Sequence, residues 1–458
     1  MVNKKSLVSI VLLATMVCST VMAGCGENGE SEKEETSQKS SVVSKVQESS
    51  QNNKTTKASS QVSTAKKNDE KSKAESKVQS KVESSAEEKK EEKKNKLKPV
   101  PTKIVDDDKL PLPEVEDPTP DYYGEDINNI FVYNGTAYEY FYGDEYMAQN
   151  YSDVVSYMKK QLGKDITVYN VIVPTHMGVD LPAKFEGQKG TSQKDYMHTV
   201  VTSYSADVKG VDTYSKMAHH RNEYLYFNSD HHWTSLGAYY AYRAFAEKAG
   251  FQPLDLMKLK SGKYEGFYGT FTTTYDVPDL TPDTVYYYYP DYDIECQLFD
   301  ENAQNPIDWQ IMNTYVDADN ASFVFLGGDY PLIVSKNPKG NGKKVAVLKE
   351  SFGNFFSPYI CYTYGETHII DPRHINIDLK NYLEKNGISE VIIVNNVMAS
   401  ATDIVLDAMK NLVSGSNGET EQSFDEFSEE NDNGDEEYAD NDEEDNDEEY
   451  DVDYDEYY

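Results

Sequence analysis

Cysteine is scarce in this chain. There are four in 458 residues, and Cys18 and Cys25 fall in the first 25. Only Cys296 and Cys361 remain for the body of the protein. That argues against a disulfide scaffold, and whether these two pair is left open. Positive charge is short as well. Lys and Arg number 44 against 80 Asp and Glu, a net charge of −36, so no nucleic-acid partner is expected. Beyond the N-terminus no run reaches ~18 apolar residues, so no further membrane-spanning helix is expected. The HExxH spacing of a zinc hydrolase is missing, and so is any internal repeat. Residues 26–98 have no aromatic side chain. A stretch made of Ser, Lys, Glu, Gln and Thr cannot bury enough surface to offset its ordering entropy. Residues 416–458 contain 22 Asp and Glu and no Lys or Arg. They read as a self-repelling, disordered tail, either solubilising or able to bind cations or basic partners.

What is present falls into four parts. Residues 1–25 have the form of a bacterial lipoprotein signal: Lys4-Lys5, an apolar run from Leu7, then Met22-Ala23-Gly24-Cys25. Small residues before a cysteine suit lipidation of Cys25; an ordinary cleaved signal or an uncleaved anchor stays open. Residues 26–119 read as a tether ending in a stiffer Pro-rich junction. Its coil-like part, about 75 residues, reaches roughly 50 Å. This places the protein on the extracytoplasmic face of the cell membrane. Residues 120–414 are long enough for one large folded domain, and the acidic tail runs from 415 to 458.

The domain alternates. Lys344–Lys349 (KVAVLK), Thr367–Asp371 and Glu390–Asn395 read as strands, each followed by a helical stretch: 354–364, 377–386 and 402–412. Ile166–Val173 reads as another strand, flanked by helices over 153–162 and 194–206. A further helix, capped by Thr234 or Ser235, runs to about Lys248 with Gly250 beyond. Strand-helix alternation predicts an α/β fold with a parallel central sheet. Residues 255–340 are irregular and rich in Thr, Tyr, Asp and Pro. They are expected to form an insertion with hairpins that roofs one end of the sheet.

Two short segments carry chemistry. Glu350-Ser351-Phe352-Gly353-Asn354 follows an apolar strand and starts a helix. Reactive groups collect at the carboxyl ends of parallel strands. Such a corner exposes a hydroxyl and aims N–H groups, with Gly353 allowing close approach, at an oxyanion. A serine at a helix start is also an ordinary cap. The second segment is Asp230-His231-His232-Trp233. In an extended segment Asp230 and His232 leave the same face, so the carboxylate can orient the imidazole. Serine needs such a base, because its own pKa leaves it un-ionised. A structural Asp-His bond is the plain alternative. A metal site at Asp230, His231 and His232, with His176, His219 and His220 elsewhere, is a further one, though adjacent histidines seldom chelate one ion. Softer candidates are Gly328, after the apolar segment Phe323–Leu326, as an oxyanion donor; Trp233 and Tyr226 as stacking platforms for a sugar; and Arg373 as the holder of an anionic group or a partner of Asp371.

The run Tyr226-Phe227-Asn228-Ser229-Asp230-His231-His232-Trp233-Thr234, followed by Gly237-Ala238-Tyr239-Tyr240, resembles the signature of the DHHW family of bacterial exported proteins. Glu350–Asn354, Asp371-Pro372-Arg373 and Val394-Asn395-Asn396 resemble that family's later blocks, over roughly residues 125–412. The family is similar to the SGNH-hydrolase-like domains of alginate O-acetylation proteins, where an Asp-x-His pair also precedes the serine. The resemblance implies a three-layer SGNH-like domain with Ser351 as nucleophile, His232 as base and Asp230 as its orienter. Glu350 stands where such blocks usually have Asp. The implied function is a serine-dependent O-acetyltransferase or acyl esterase acting on a cell-surface polysaccharide or wall glycan, without a cofactor, with a membrane-bound O-acyltransferase as a partner. A glycan-binding module without chemistry and a metal-dependent hydrolase are the alternatives.

Overall fold

The computed structural model describes residues 97–104, 109–185 and 187–414. The expected lipidation at Cys25, most of the tether and the acidic tail lie outside these residues. The end of the expected tether does not hang free. The carbonyls of Pro99, Leu110 and Glu114 accept hydrogen bonds from Tyr224 N, His219 Nε2 and Asn222 Nδ2 (2.7–3.0 Å). The folded body therefore begins before residue 120, because an extended Pro-rich segment leaves its carbonyls open for docking.

A small antiparallel meander comes first: β1 Glu125–Ile127, β2 Ile130–Tyr133 and β3 Thr136–Glu139. Helix α1 (Glu145–Leu162) follows. Asp144 caps it by accepting from Met147 N, and Gly163 ends it at φ 85°. Its apolar positions Ala148, Tyr151, Val155, Met158 and Leu162 recur at helical spacing and are all buried, which is the pattern of a helix with one face in the core. The other main elements are β4 Thr167–Val173, α2 Gln193–Thr202, β5 Val208–Gly210, α3 Ser235–Ala249, β6 Lys260–Phe267, β7 Asp283–Tyr289, β8 Glu295–Phe299, β9 Ile307–Asp308, β10 Leu332–Lys336, β11 Lys344–Lys349, α4 Gly353–Thr363, β12 Glu366–Ile370, α5 Leu379–Asn386, β13 Glu390–Asn396 and α6 Asp403–Asn411.

Eight strands form the central sheet in the order β5-β4-β13-β11-β12-β10-β8-β9. The first five are mutually parallel. The last three run antiparallel. The α/β class stands, with one difference: the sheet is mixed, because the 255–340 region extends it by three strands as well as forming the β6–β7 hairpin. Phe323–Leu326 is not a strand. It closes a 3-10 turn, Ala318–Val324, with only an isolated bridge between Met312 and Phe325.

Side chains alternate across the parallel strands. Tyr169, Val171, Val345, Val347, Ile392 and Val394 enter one core with Tyr239, Tyr240, Phe355 and Tyr359 of α3 and α4. Val168, Ile172, Ala346, Leu348, Val391 and Ile393 enter a second core with α1, α2, α5 and α6. This is the three-layer arrangement of an SGNH-hydrolase-like domain. Cys296 and Cys361 are buried free thiols. Burial, foremost, pushes the Cys361 thiol up to about 12, so neither is a ready nucleophile. No helix among the described residues is long and apolar enough to cross a membrane.

Candidate active site

The serine corner forms where β11 leaves the sheet. Gly353 N donates to Glu350 O (2.9 Å) and Asn354 N to Ser351 O (3.0 Å), a tight turn into α4. A Cβ on Gly353 would lie 2.3 Å from Lys349 Cβ, so only glycine fits. That turn bond uses the Gly353 N–H, which corrects its expected role as an oxyanion donor.

The histidine loop is held at its neck. Tyr226 and Trp233 form an antiparallel bridge, Thr234 N donates to Leu225 O (2.8 Å), and the Thr234 hydroxyl accepts from Gly237 N to cap α3. Trp233 Nε1 donates to Phe352 O at 2.9 Å and joins the two loops. Trp233 and Tyr226 are 0% and 2% exposed, and the Tyr226 hydroxyl donates to Pro174 O. Neither can stack on a sugar; both serve as core, because the bridge that pinches the loop turns their rings inward.

This neck brings together the three residues expected to form the relay. His232 Nε2 lies 2.9 Å from Ser351 Oγ, and His232 Nδ1 lies 2.7 Å from Asp230 Oδ1. The serine, in the turn before α4, thus meets an imidazole whose other nitrogen is held by a carboxylate, the geometry of a Ser-His-Asp relay. Burial alone would raise the Asp230 pKa. The imidazoles of His232 and His231, with hydrogen bonds from His232 and Thr270, outweigh it and hold the carboxyl well below the usual range. Asp230 is therefore ionised and can stabilise an imidazolium.

Several partners of the relay had no signal in the sequence. Thr270 N and Oγ1 donate to Asp230 Oδ2 (3.0 and 3.3 Å). A Cβ on Gly269 would fall 2.2 Å from Asp230 Cβ, so a glycine is required beside the carboxylate. Asp283, buried in the second strand of the hairpin, accepts from Ser229 N, Ser229 Oγ and Asn228 N (2.6–2.8 Å). The insertion thus cradles the loop that bears Asp230. Glu350 braces the serine corner, and its Oε2 also accepts from Ser351 Oγ at a longer 3.3 Å. Its Oε1 accepts from Asn396 N (3.0 Å) and its Oε2 from Phe352 N (3.0 Å), so the longer acid spans from the serine corner to the end of β13.

Arg373 is not free to hold an anion. Its Nε and Nη2 grip Asp371 (2.9 and 2.6 Å), and Nη2 also reaches Asp329 (2.8 Å). Gly328 lies next to Asp329 on a loop where Leu326, Gly327 and Gly328 all have positive φ. Asp329 ties that loop to Asn354 Nδ2 (2.8 Å), near the serine. Asp230, His231 and His232 have ligand-type atoms within 4.8 Å of one another, but both nitrogens of His232 are engaged in the relay. The remaining histidines are dispersed. His176 pairs with Asp180, His219 with backbone carbonyls and His220 with Glu223.

The family model described as DHHW protein matches residues 68–370. The chain belongs to the DHHW family. The match takes in Glu350–Asn354 but ends before Asp371 and Asn395, so the last two blocks lie beyond it. A DHHW family protein from Eubacterium siraeum is similar in structure, with 26% identity and a TM-score of 0.58 over 65% of this chain and 98% of that one. PatB1 of Bacillus cereus has the same fold at 18% identity and a TM-score of 0.51, over 60% of this chain and 98% of that one. More distant is the O-acetyltransferase domain of Pseudomonas putida AlgJ, at 12% identity and a TM-score of 0.33 over 58% and 91%. No curated protein matches this DHHW chain.

Proposed function

We propose that this DHHW protein is a lipid-anchored, extracytoplasmic acyl-transfer enzyme, an O-acetyltransferase or acyl esterase acting on a cell-surface glycan. The observation that carries the reading is the unbroken relay Ser351–His232–Asp230, with separations of 2.9 and 2.7 Å. In it, Ser351 Oγ attacks the acyl carbonyl while its proton passes to His232 Nε2. Asp230 stabilises the imidazolium without taking the proton. The C–O bond to the leaving group breaks, and the leaving group takes that proton. A glycan hydroxyl, or water, then gives its proton to His232 and attacks the acyl-Ser351 ester, and Ser351 is restored. Gly328, beside Asp329, is our candidate for an N–H to the oxyanion. Transfer is favoured over hydrolysis by the motif order, Asp-x-His before serine, which resembles that of alginate O-acetylation proteins. A cytoplasmic acyl donor would reach the site through a membrane-bound O-acyltransferase.

The test is direct. An activated-serine probe should label Ser351, and an acetyl donor supplied with surface oligosaccharides should add one acetyl mass to glycan, a gain lost in Ser351→Ala. Free acetate alone across a broad glycan set would make the enzyme an esterase. Absence of any label on Ser351 would favour a binding module.

The anchor has its own check. Metabolic labelling with a fatty acid should tag the wild type and not Cys25→Ala. A variant that still takes up label would overturn the lipoprotein reading.

A further inference from the structure

The motif has two histidines, and the relay uses one. His231 lies against His232, with ring centroids 3.8 Å apart and planes tilted by 37°. The two rings point the same way. His232 Nδ1 and His231 Nδ1 both face Asp230 Oδ1, at 2.7 and 4.0 Å. The two Nε2 atoms therefore face away from Asp230, and that of His232 meets Ser351. His231 Nδ1 is 2.7 Å from Thr270 Oγ1. We assign the tautomer in which that hydroxyl gives its own proton to Asp230 Oδ2, 3.3 Å away, and accepts from His231 Nδ1–H. Neutral imidazole carries one N–H. His231 Nε2 is then a lone-pair acceptor. It has no hydrogen bond among the described residues, and the side chain is 30% exposed.

Neutrality fits the surroundings. Burial, then the neighbouring His232, lower the His231 pKa, while Asp230, Glu139 and Glu350 oppose them. Glu139, at the end of β3, makes no ion pair with the ring; burial pushes its own carboxyl up.

We infer that His231 binds the acceptor, receiving a hydrogen bond from the hydroxyl adjacent to the one that His232 deprotonates. Two adjoining imidazoles with centroids 3.8 Å apart present two acceptors side by side, and neighbouring hydroxyls of one sugar ring present two donors side by side. The site would select a vicinal diol over an isolated hydroxyl, and any such acceptor over water. This rests on the acyl-transfer reading above and goes further, by naming the acceptor's chemistry and the residue that reads it. Atoms balance: the attacking hydroxyl's proton goes to His232 and then to Ser351 Oγ as the ester bond to Ser351 breaks. The second hydroxyl keeps its proton and only donates it to His231.

The test uses the whole protein, 4-nitrophenyl acetate as donor, and trans-1,2-cyclohexanediol or cyclohexanol as acceptor. Mass spectrometry follows acetyl-Ser351, acetylated alcohol and free acetate. The wild type should prefer the diol about tenfold, the worth of one neutral hydrogen bond at the upper end of its range. His231→Asn can keep the bond to Thr270 with its amide, but it has no atom at the Nε2 position. It should still form acetyl-Ser351 while the diol preference vanishes. His231→Gln, whose amide reaches further, should recover part of it. An unchanged preference in His231→Asn, or none in the wild type, overturns the inference while acetyl-Ser351 still supports the enzyme. Failure of the wild type to form acetyl-Ser351 at all overturns both.

Discussion

Ser351→Ala and His232→Ala will each remove nearly all acyl-transfer activity, a loss of roughly 10⁴-fold or more, and the double variant will be little worse. The reason is geometric. In the proposed relay Ser351 Oγ passes its proton to His232 Nε2, 2.9 Å away. Once either end is gone, the other has no partner to act on. Glu350 Oε2 also accepts from Ser351 Oγ, at a longer 3.3 Å, but its two oxygens are already tied to Phe352 N and Asn396 N, which hold it as a brace of the corner. It does not provide a second base. Asp230→Asn should cost about a hundredfold less than the loss of Ser351 or His232, because the carboxylate orients and stabilises without accepting the proton. Initial rates on an activated acetate ester, with melting temperatures as the folding control, decide the matter. Fully additive losses from Ser351 and His232 would argue against a shared relay.

The meeting of Ser351, His232 and Asp230 was legible in the sequence because they sit in two compact, strongly patterned segments. A buried run, KVAVLK, ends at the serine corner, and Thr234 marks the start of the helix after the histidines. Each signal is local. What stayed hidden is what depends on contacts distant in sequence. Nothing around Gly269-Thr270 says that its backbone will meet Asp230, 40 residues away. Trp233 and Tyr226 look the same in sequence whether their rings face a sugar or the core; the bridge between them decides it. The mixed half of the sheet was illegible for the same reason. The strand β10 pairs antiparallel with β8 and with β12, and register between distant strands leaves no periodic mark. Arg373 was ambiguous because one of its two partners, Asp329, is 44 residues away.

That partner belongs to a charge cluster under the serine corner, and Asp371 is its most sensitive member. Lys349 is 1% exposed and its Nζ reaches Asp329 (2.9 Å) and Asp371 (3.2 Å). Arg373 bridges the same two carboxylates. Two cations and two anions balance, with Lys349 and Asp371 shut away from water and Arg373 and Asp329 at its edge. Asp371→Ala leaves Lys349 and Arg373 sharing one carboxylate, and an uncompensated buried charge costs about 3–5 kcal/mol. The melting temperature should fall by roughly 10 °C. Adding Lys349→Met should restore much of it, because the stranded charge goes and the stem is already packed. A drop under ~2 °C, or a double variant worse than the sum of the two, would show that the cluster is not a coupled network. Acid should act in the same direction. Burial alone would raise Asp371, but Lys349 and Arg373 hold it below the ordinary value of 3.8. A carboxylate whose folded pKa is lowered contributes stability above that value and loses it as pH falls through the folded pKa. The wild type should therefore lose stability below about pH 4, and Asp371→Ala should lose less of it there. Activity should fall along with the fold, since Asp329, now shared between two cations, is also what holds Asn354 at the start of α4 beside Ser351.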